Sequence, residues 1–155
     1  MKTDNGKNGM TSHTPEHWLV PIDGSDHSIH ALKLAISEAQ ARLTTPKLML
    51  LNVQLPLPSD VTRFIDGGTI DEFHREAGER AVQAAKDLVE ATGLAHSVHI
   101  VVGSVASTIV AFGSSNACTR IVMGTHGHSS VAAMIMGSVT TKVLHQSTLP
   151  VLLTK

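Results

Sequence analysis

The sequence predicts a doubly wound α/β fold: a five-stranded parallel sheet in the order 3-2-1-4-5 with helices on both faces. Three observations point to it. Short, nearly continuous apolar runs alternate with segments whose apolar residues recur every three or four positions, and this alternation builds parallel sheets. The runs are apolar on both strand faces, as strands covered from two sides require. Each crossover between parallel strands must be right-handed, which leaves few topologies open.

The elements follow in order. Trp18-Leu19-Val20-Pro21-Ile22 stops at Asp23-Gly24-Ser25, after which Ile29, Leu32, Ile36, Ala39 and Leu43 mark one face of a first helix. Residues 47–53 (KLMLLNV) read as a second strand. Residues 54–68 hold two prolines and two adjacent glycines without a period, which predicts a long loop, either over a site or a plain surface excursion. From Thr69, the apolar positions Ile70, Phe73, Ala77, Ala81, Ala84 and Leu88 predict the longest helix, with Gly93 as its C-terminal cap. Residues 98–102 read as a strand, 106–117 as a helix, 120–123 as a strand, 138–145 as a helix and 150–153 as the last strand. The expectation is five strands and four helices, in one domain over residues 17–155 behind a flexible polar tail, residues 1–16.

Composition narrows the function. The chain has 155 residues, 42% hydrophobic and 16% charged, with 3% aromatics, so its core must be aliphatic. Twelve Lys and Arg stand against 13 Asp and Glu without a basic run, which argues against nucleic acid as a direct partner. The single cysteine, Cys118, excludes an internal disulfide or a CxxC site and reads as a small buried apolar residue in a reducing, cytoplasmic setting. The polar N-terminus lacks the apolar core of a secretory signal. The longest nearly apolar run, residues 131–136, is far short of the ~20 residues a membrane helix needs.

In a doubly wound sheet, ligands bind beyond the C-terminal strand ends where the strand order reverses, here between strands one and four. Asp23-Gly24-Ser25 and Gly124-Thr125-His126-Gly127 are predicted to meet there. The second of these begins a G-x2-G-x9-G-S pattern that runs from Gly124 through Gly127 to Gly137-Ser138-Val139-Thr140. Gly124 and Gly127 are expected to take conformations other residues resist and to bring main-chain amides close to a ligand. Gly137-Ser138-Val139-Thr140 opens a helix whose N–H groups and positive dipole end face the same crevice, with two hydroxyls as further donors. Such a cradle suits a polyphosphate, although glycines after strands and serines at helix starts also occur for purely structural reasons. No Lys stands where a Walker loop would need it, and no GxGxxG follows the first strand.

Pro21-Ile22-Asp23-Gly24-Ser25, Leu51-Asn52-Val53, Ile121-Val122-Met123-Gly124-Thr125-His126-Gly127, Gly137-Ser138-Val139-Thr140 and Pro150-Val151-Leu152 together resemble the signature of the universal stress protein family. The glycine pattern is similar to that of the family's ATP-binding branch. The resemblance covers nearly all of the chain after the tail and implies a Rossmann-like sheet of the adenine nucleotide alpha-hydrolase type. It implies that Asp23 and the main chain of Val53 contact the adenine and ribose, with Pro21, Met123 and Gly124 lining that end. It further implies that Gly127, Gly137, Ser138, Val139 and Thr140 hold the phosphates of ATP, with Mg²⁺ arriving on the nucleotide. Thr119-Arg120 departs from the acidic-aliphatic pair frequent in relatives, and the tail has no counterpart in the minimal family domain.

Ten histidines are scattered along the chain, and of these only His126 and His128 fall in the predicted site, where either is placed to contact phosphate. The sequence supplies no metal cage. Asp23 has a competing reading as the cap of the first helix. Met123, Met134 and Met136 read as core fillers, and the apolar run 131–136 as a flap or a subunit contact. The main expectation is an ATP-binding regulatory module of the stress response. A slow ATP hydrolase is the alternative, weakened by the lack of Lys or Arg in the loop. An FMN carrier would need aromatic rings the chain lacks, and a ligand-free structural module would leave the glycine pattern without a purpose. The apolar last strand, Pro150 to Thr154, lies at a sheet edge and predicts a homodimer paired through that strand.

Overall fold

The computed structural model describes residues 15–127 and 136–155. Most of the predicted tail, His128, Met134 and all but the last residue of the 131–136 run lie outside the described residues. Five parallel strands stand in the order β3-β2-β1-β4-β5. They are β1 (His17–Pro21), β2 (Lys47–Gln54), β3 (His96–Val102), β4 (Cys118–Gly124) and β5 (Val151–Thr154). The helices are α1 (Asp26–Gln40), α2 (Ser59–Thr62), α3 (Gly67–Glu90), α4 (Val105–Ser115) and α5 (Ser138–Gln146). Among the described residues no helix is long and apolar enough to cross a membrane.

Strand alternation divides the core in two. Trp18, Val20, Leu48 and Leu50 face one way and are buried with Leu32 and Ala35 of α1 and Val82, Ala85 and Val89 of α3. Leu19, Met49, Leu51, Ile121 and Met123 face the other way, against Ala106 and Ile109 of α4 and Val143 of α5. Each fully buried aliphatic side chain of this kind contributes about 1.5–3 kcal/mol. Cys118 lies in the second layer with its Sγ 3.8 Å from Sδ of Met49, and burial pushes its thiol pKa up.

The helices differ from the sequence reading in three places. The first helix stops at Gln40, which leaves Leu43 fully exposed rather than on the buried face. The excursion after β2 contains α2, and the adjacent glycines Gly67 and Gly68 are the first residues of α3, with Asp66 as the cap accepting from the Thr69 N–H at 3.0 Å. The third difference concerns the buried stripe of α3, which runs through His74, Gly78, Val82, Ala85 and Val89, one position beyond the predicted stripe. Phe73 and Ala84, predicted inside, are exposed. The reason is contact distance: at Gly78 the helix comes so close to β3 that a Cβ would overlap Cγ2 of Ile100, so the residue nearest the sheet has no side chain to announce it. Past the cap residue Ala91, Gly93 takes φ +70°, the left-handed turn that ends α3.

At the N-terminal end of β1, the fully buried Trp18 ring lies under two guanidinium groups, that of Arg120 at 4.3 Å and that of Arg42 at 4.8 Å from the ring centroid. Its indole N–H donates to Glu16 at 2.9 Å, a bond that holds the Glu16 carboxyl below its ordinary pKa against the upward push of burial. The unusual pair Thr119-Arg120 sits here. His17 pairs with Cys118 and Trp18 with Arg120, so Thr119 is the extra residue of a bulge that brings Arg120 over the indole.

Candidate functional site

Beyond the pairing of Leu19 with Ile121, β1 and β4 part, and a cleft of about 310 Å³ opens at their C-terminal ends. This is the switch point of the strand order. All eleven residues implied for the site line this one cleft: Pro21, Asp23, Val53, Met123, Gly124, His126, Gly127, Gly137, Ser138, Val139 and Thr140. Five further lining residues escaped the sequence reading. Ile22 directly follows β1, Leu51 lies within β2, Ser28 belongs to α1, and Val105 and Ile109 belong to α4. The signal for the α4 pair was their place at the start of a helix that must pack across this end of the sheet.

The cleft is built from short-range bonds. The Ile22 N–H donates to the Leu51 carbonyl at 2.8 Å, and the Ile22 carbonyl accepts from the side-chain amide of Asn52 at 2.7 Å. Gln54 points its main chain the other way, where its carbonyl accepts from Gly103 N–H at 2.9 Å. Alternation along a parallel strand therefore turns the main chain of Val53, like that of Leu51, toward the side of β1. There β1 has already ended, so the Val53 peptide groups face the cleft.

Gly24, at φ +84°, turns the chain out of β1. Oδ1 of Asp23 accepts from the Ser25 N–H at 2.9 Å and from the Ser25 hydroxyl at 2.5 Å. The cap of α1 is Ser25, whose hydroxyl oxygen accepts from the Ser28 N–H at 3.3 Å, so the competing role for Asp23 as helix cap is not the one it plays. The carboxylate is braced at the cleft mouth instead, with its Oδ2 toward Gly127.

The two loop glycines are present for room. Among the described glycines only Gly24 and Gly93 have positive φ, which corrects the expectation that Gly124 and Gly127 take conformations closed to other residues. A Cβ on Gly124 would stand 2.9 Å from the His27 carbonyl oxygen and 3.0 Å from that of His126, and one on Gly127 would stand 2.6 Å from Oδ2 of Asp23. The main chain thus approaches its neighbours more closely than any side chain allows.

Thr125, which the sequence reading passed over, is the junction of the site. Its N–H donates to the Thr154 carbonyl of β5 at 2.8 Å, and its carbonyl accepts from the Gly137 N–H at 2.7 Å. That second bond removes Gly137 from the expected set of amide donors. The hydroxyl of Thr140, also expected as a donor to ligand, is committed to the Gly124 carbonyl at 3.0 Å. The cap residue of α5 is Gly137, which has no side chain to offer as a cap. What remains at this end of the cleft is the first turn of a nine-residue helix, with the N–H groups of Ser138, Val139 and Thr140 at its positive dipole end.

Of the described lining side chains only Asp23 is a carboxylate, and none is Lys or Arg. Among the described residues no three His, Cys, Asp or Glu gather as a metal site. The ring of His27, from the first turn of α1, lies 5.6 Å from that of His126, although His27 does not itself line the cleft. The arrangement is an apolar slot formed by Leu51, Val53, Val105, Ile109 and Met123, ended by helix amides and braced by one acid. It suits a ligand with a flat apolar part and an anionic part.

Comparison with known proteins agrees with this architecture. The family model described as "Universal stress protein family" matches residues 16–155. The chain is 29% identical over 140 residues to universal stress protein MJ0531 of Methanocaldococcus jannaschii, covering 88% of this chain and 80% of that protein. Among solved structures it is similar to the hypothetical protein MJ0577, with a TM-score of 0.77 and 27% identity over 90% of this chain and 95% of that one. It is also similar to a universal stress protein in complex with cAMP, with a TM-score of 0.56 and 25% identity over 90% and 96% of the two chains. With the family model spanning nearly the whole chain and the five-stranded sheet in place, this protein belongs to the universal stress protein family.

Proposed function

We propose that this protein is an ATP-binding regulatory module. The observation that carries the reading is the cleft itself, an apolar slot closed at one end by the first turn of α5, whose cap residue is a glycine. In this reading the adenine lies between Pro21, Val53 and Met123, where the inward-facing peptide of Val53 offers both a donor and an acceptor to the base edge. Asp23 stands at the ribose. Gly124 lines the adenine and ribose end, Gly127 lets the main chain close over the phosphates, and the N–H groups of Ser138, Val139 and Thr140 hold them. The cAMP complex of a related universal stress protein supports an adenine nucleotide as the ligand class.

Mg²⁺ fits as a companion of the phosphates rather than a resident ion, because one carboxylate cannot form an octahedral cage. When bound it would neutralise phosphate charge. ATP hydrolysis is the weaker reading: the stretch from Ile121 to Thr141 contains no Lys or Arg to stabilise transition-state charge. The module is read as a homodimer through β5, whose four residues are all half-buried in the single chain and whose outer edge has no partner strand in the sheet. A charge at Leu152 should then shift sedimentation toward the monomer, and an unchanged profile would count against this pairing.

The test of ligand binding is calorimetry with ATP and Mg²⁺ on protein stripped of nucleotide, beside a Gly127→Val, Ser138→Ala variant. Micromolar binding lost in the variant supports the reading. No binding by the intact protein sinks it.

A further inference from the structure

None of the described lining residues is Lys or Arg, so they give the phosphate end of the cleft no permanent positive charge, and Arg120 and Lys142 fall outside the loop and the first turn of α5. Among the described lining residues His126 is the one side chain able to become a cation. Its Nδ1 lies 3.1 Å from the Thr125 hydroxyl, within the junction that joins β4, β5 and α5. The His27 ring packs 5.6 Å away, and its Nδ1 is buried without a hydrogen-bond partner.

We propose that phosphate binding at this site is coupled to proton uptake by the His126–His27 pair, so that nucleotide is held more tightly as pH falls through the histidine range. The inference rests on the nucleotide reading above. Imidazoles change charge between about pH 5 and 8, and an anion placed beside one favours its protonated form. A positive charge on one of two neighbouring imidazoles disfavours a second on the other.

The other charged groups around the pair are few. Asp23 lines the same cleft as His126 from the turn after β1. On α1, the exposed carboxylate of Asp26 immediately precedes His27, and His30, one turn on, is exposed as well. The first turn of α5 carries no ionisable side chain, and Lys142 beyond it is exposed. On β5, Lys155 follows Thr154, whose carbonyl holds the Thr125 N–H, and its charge opposes the imidazolium. Carboxylates and ammonium groups do not ordinarily change charge between about pH 5 and 8, so among the protein's side chains a slope in that window points to histidine.

The experiment is calorimetric titration of the stripped full-length protein with ATP and Mg²⁺, and separately with adenosine, at about pH 8, 7 and 6 in buffers of differing ionisation heat. The nucleotide's own phosphate titrates near pH 6, so His126→Gln is measured in parallel to cancel that contribution. The wild type should gain affinity relative to His126→Gln on acidification, approaching on the order of tenfold per pH unit for one proton. Adenosine binding should stay flat. His126→Arg should bind ATP tightly without the slope, which shows that the site still folds. Parallel profiles for wild type and His126→Gln, or a slope that survives there and vanishes in His128→Gln, overturn the proposal while leaving the nucleotide site standing. Failure of both ATP and adenosine to bind at every pH overturns the nucleotide reading and this inference with it.

Discussion

The hydroxyl of Thr140 donates to the carbonyl of Gly124 across 3.0 Å, tying the first turn of α5 to the last residue of β4. Thr140 is buried, so this bond sets where the amides of α5 stand relative to the strand end. Thr140→Val keeps the shape and removes the donor. The expected cost is about 1–3 kcal/mol of stability by urea denaturation, because the Gly124 carbonyl loses a buried partner. ATP affinity should weaken as well.

Gly127 and Gly78 are both glycines for want of space, but in different places. Gly127→Ala would press on Asp23, whose Oδ1 is already held by Ser25. ATP affinity should fall on the order of tenfold, about 1.4 kcal/mol, with little change in stability. Gly78→Ala would press on Ile100 in the buried contact between α3 and β3. Stability should fall by about 1–3 kcal/mol, with ATP affinity kept. Parallel calorimetry and urea unfolding of the two variants check the contrast.

Burial, with a smaller contribution from Lys47, lowers the pKa of His99 below the ordinary 6.5. Its ring packs 4.9 Å from Phe112 of α4 and bonds the Ser97 hydroxyl at 3.0 Å. The unfolded chain therefore takes up this proton first as pH falls. The His99 contribution leaves stability unchanged above pH 6.5, and stability drops as pH falls from there toward the lowered folded value. Urea midpoints between about pH 8 and 5 should fall less steeply for His99→Gln than for the wild type.

Arg120→Ala removes the guanidinium nearest the Trp18 ring and should cost about 0.5–2 kcal/mol by chemical unfolding. Trp18 is the chain's only tryptophan, so its fluorescence reports this site alone. A shifted native emission is expected. Unchanged emission and stability together would mean that the stacking contributes nothing.

Much of this protein is legible along the chain. Apolar runs such as Leu48 to Leu51 and the three-four spacing of α1 determine the order of the elements, because a strand covered on both faces and an amphipathic helix each need a particular local pattern. The glycine spacing, with the serine and threonine that follow Gly137, marked the cleft residues for a similar reason, since a close main-chain approach and a helix start both require particular residue types. The tertiary structure decided what depends on neighbours distant in sequence. The turn of α3 toward the sheet was set by its approach to Ile100, and the buried His74 and Gly78 carry no apolar signature. Asp23 and the cap residue Ser25 were separated by which oxygen faces which N–H. Gly124 and Gly127 proved necessary for the space left by His27 and Asp23 rather than for their dihedral angles. His27 beside His126, and Arg120 over Trp18, join residues about a hundred positions apart, and only the parallel crossovers of the folded sheet bring such pairs within contact.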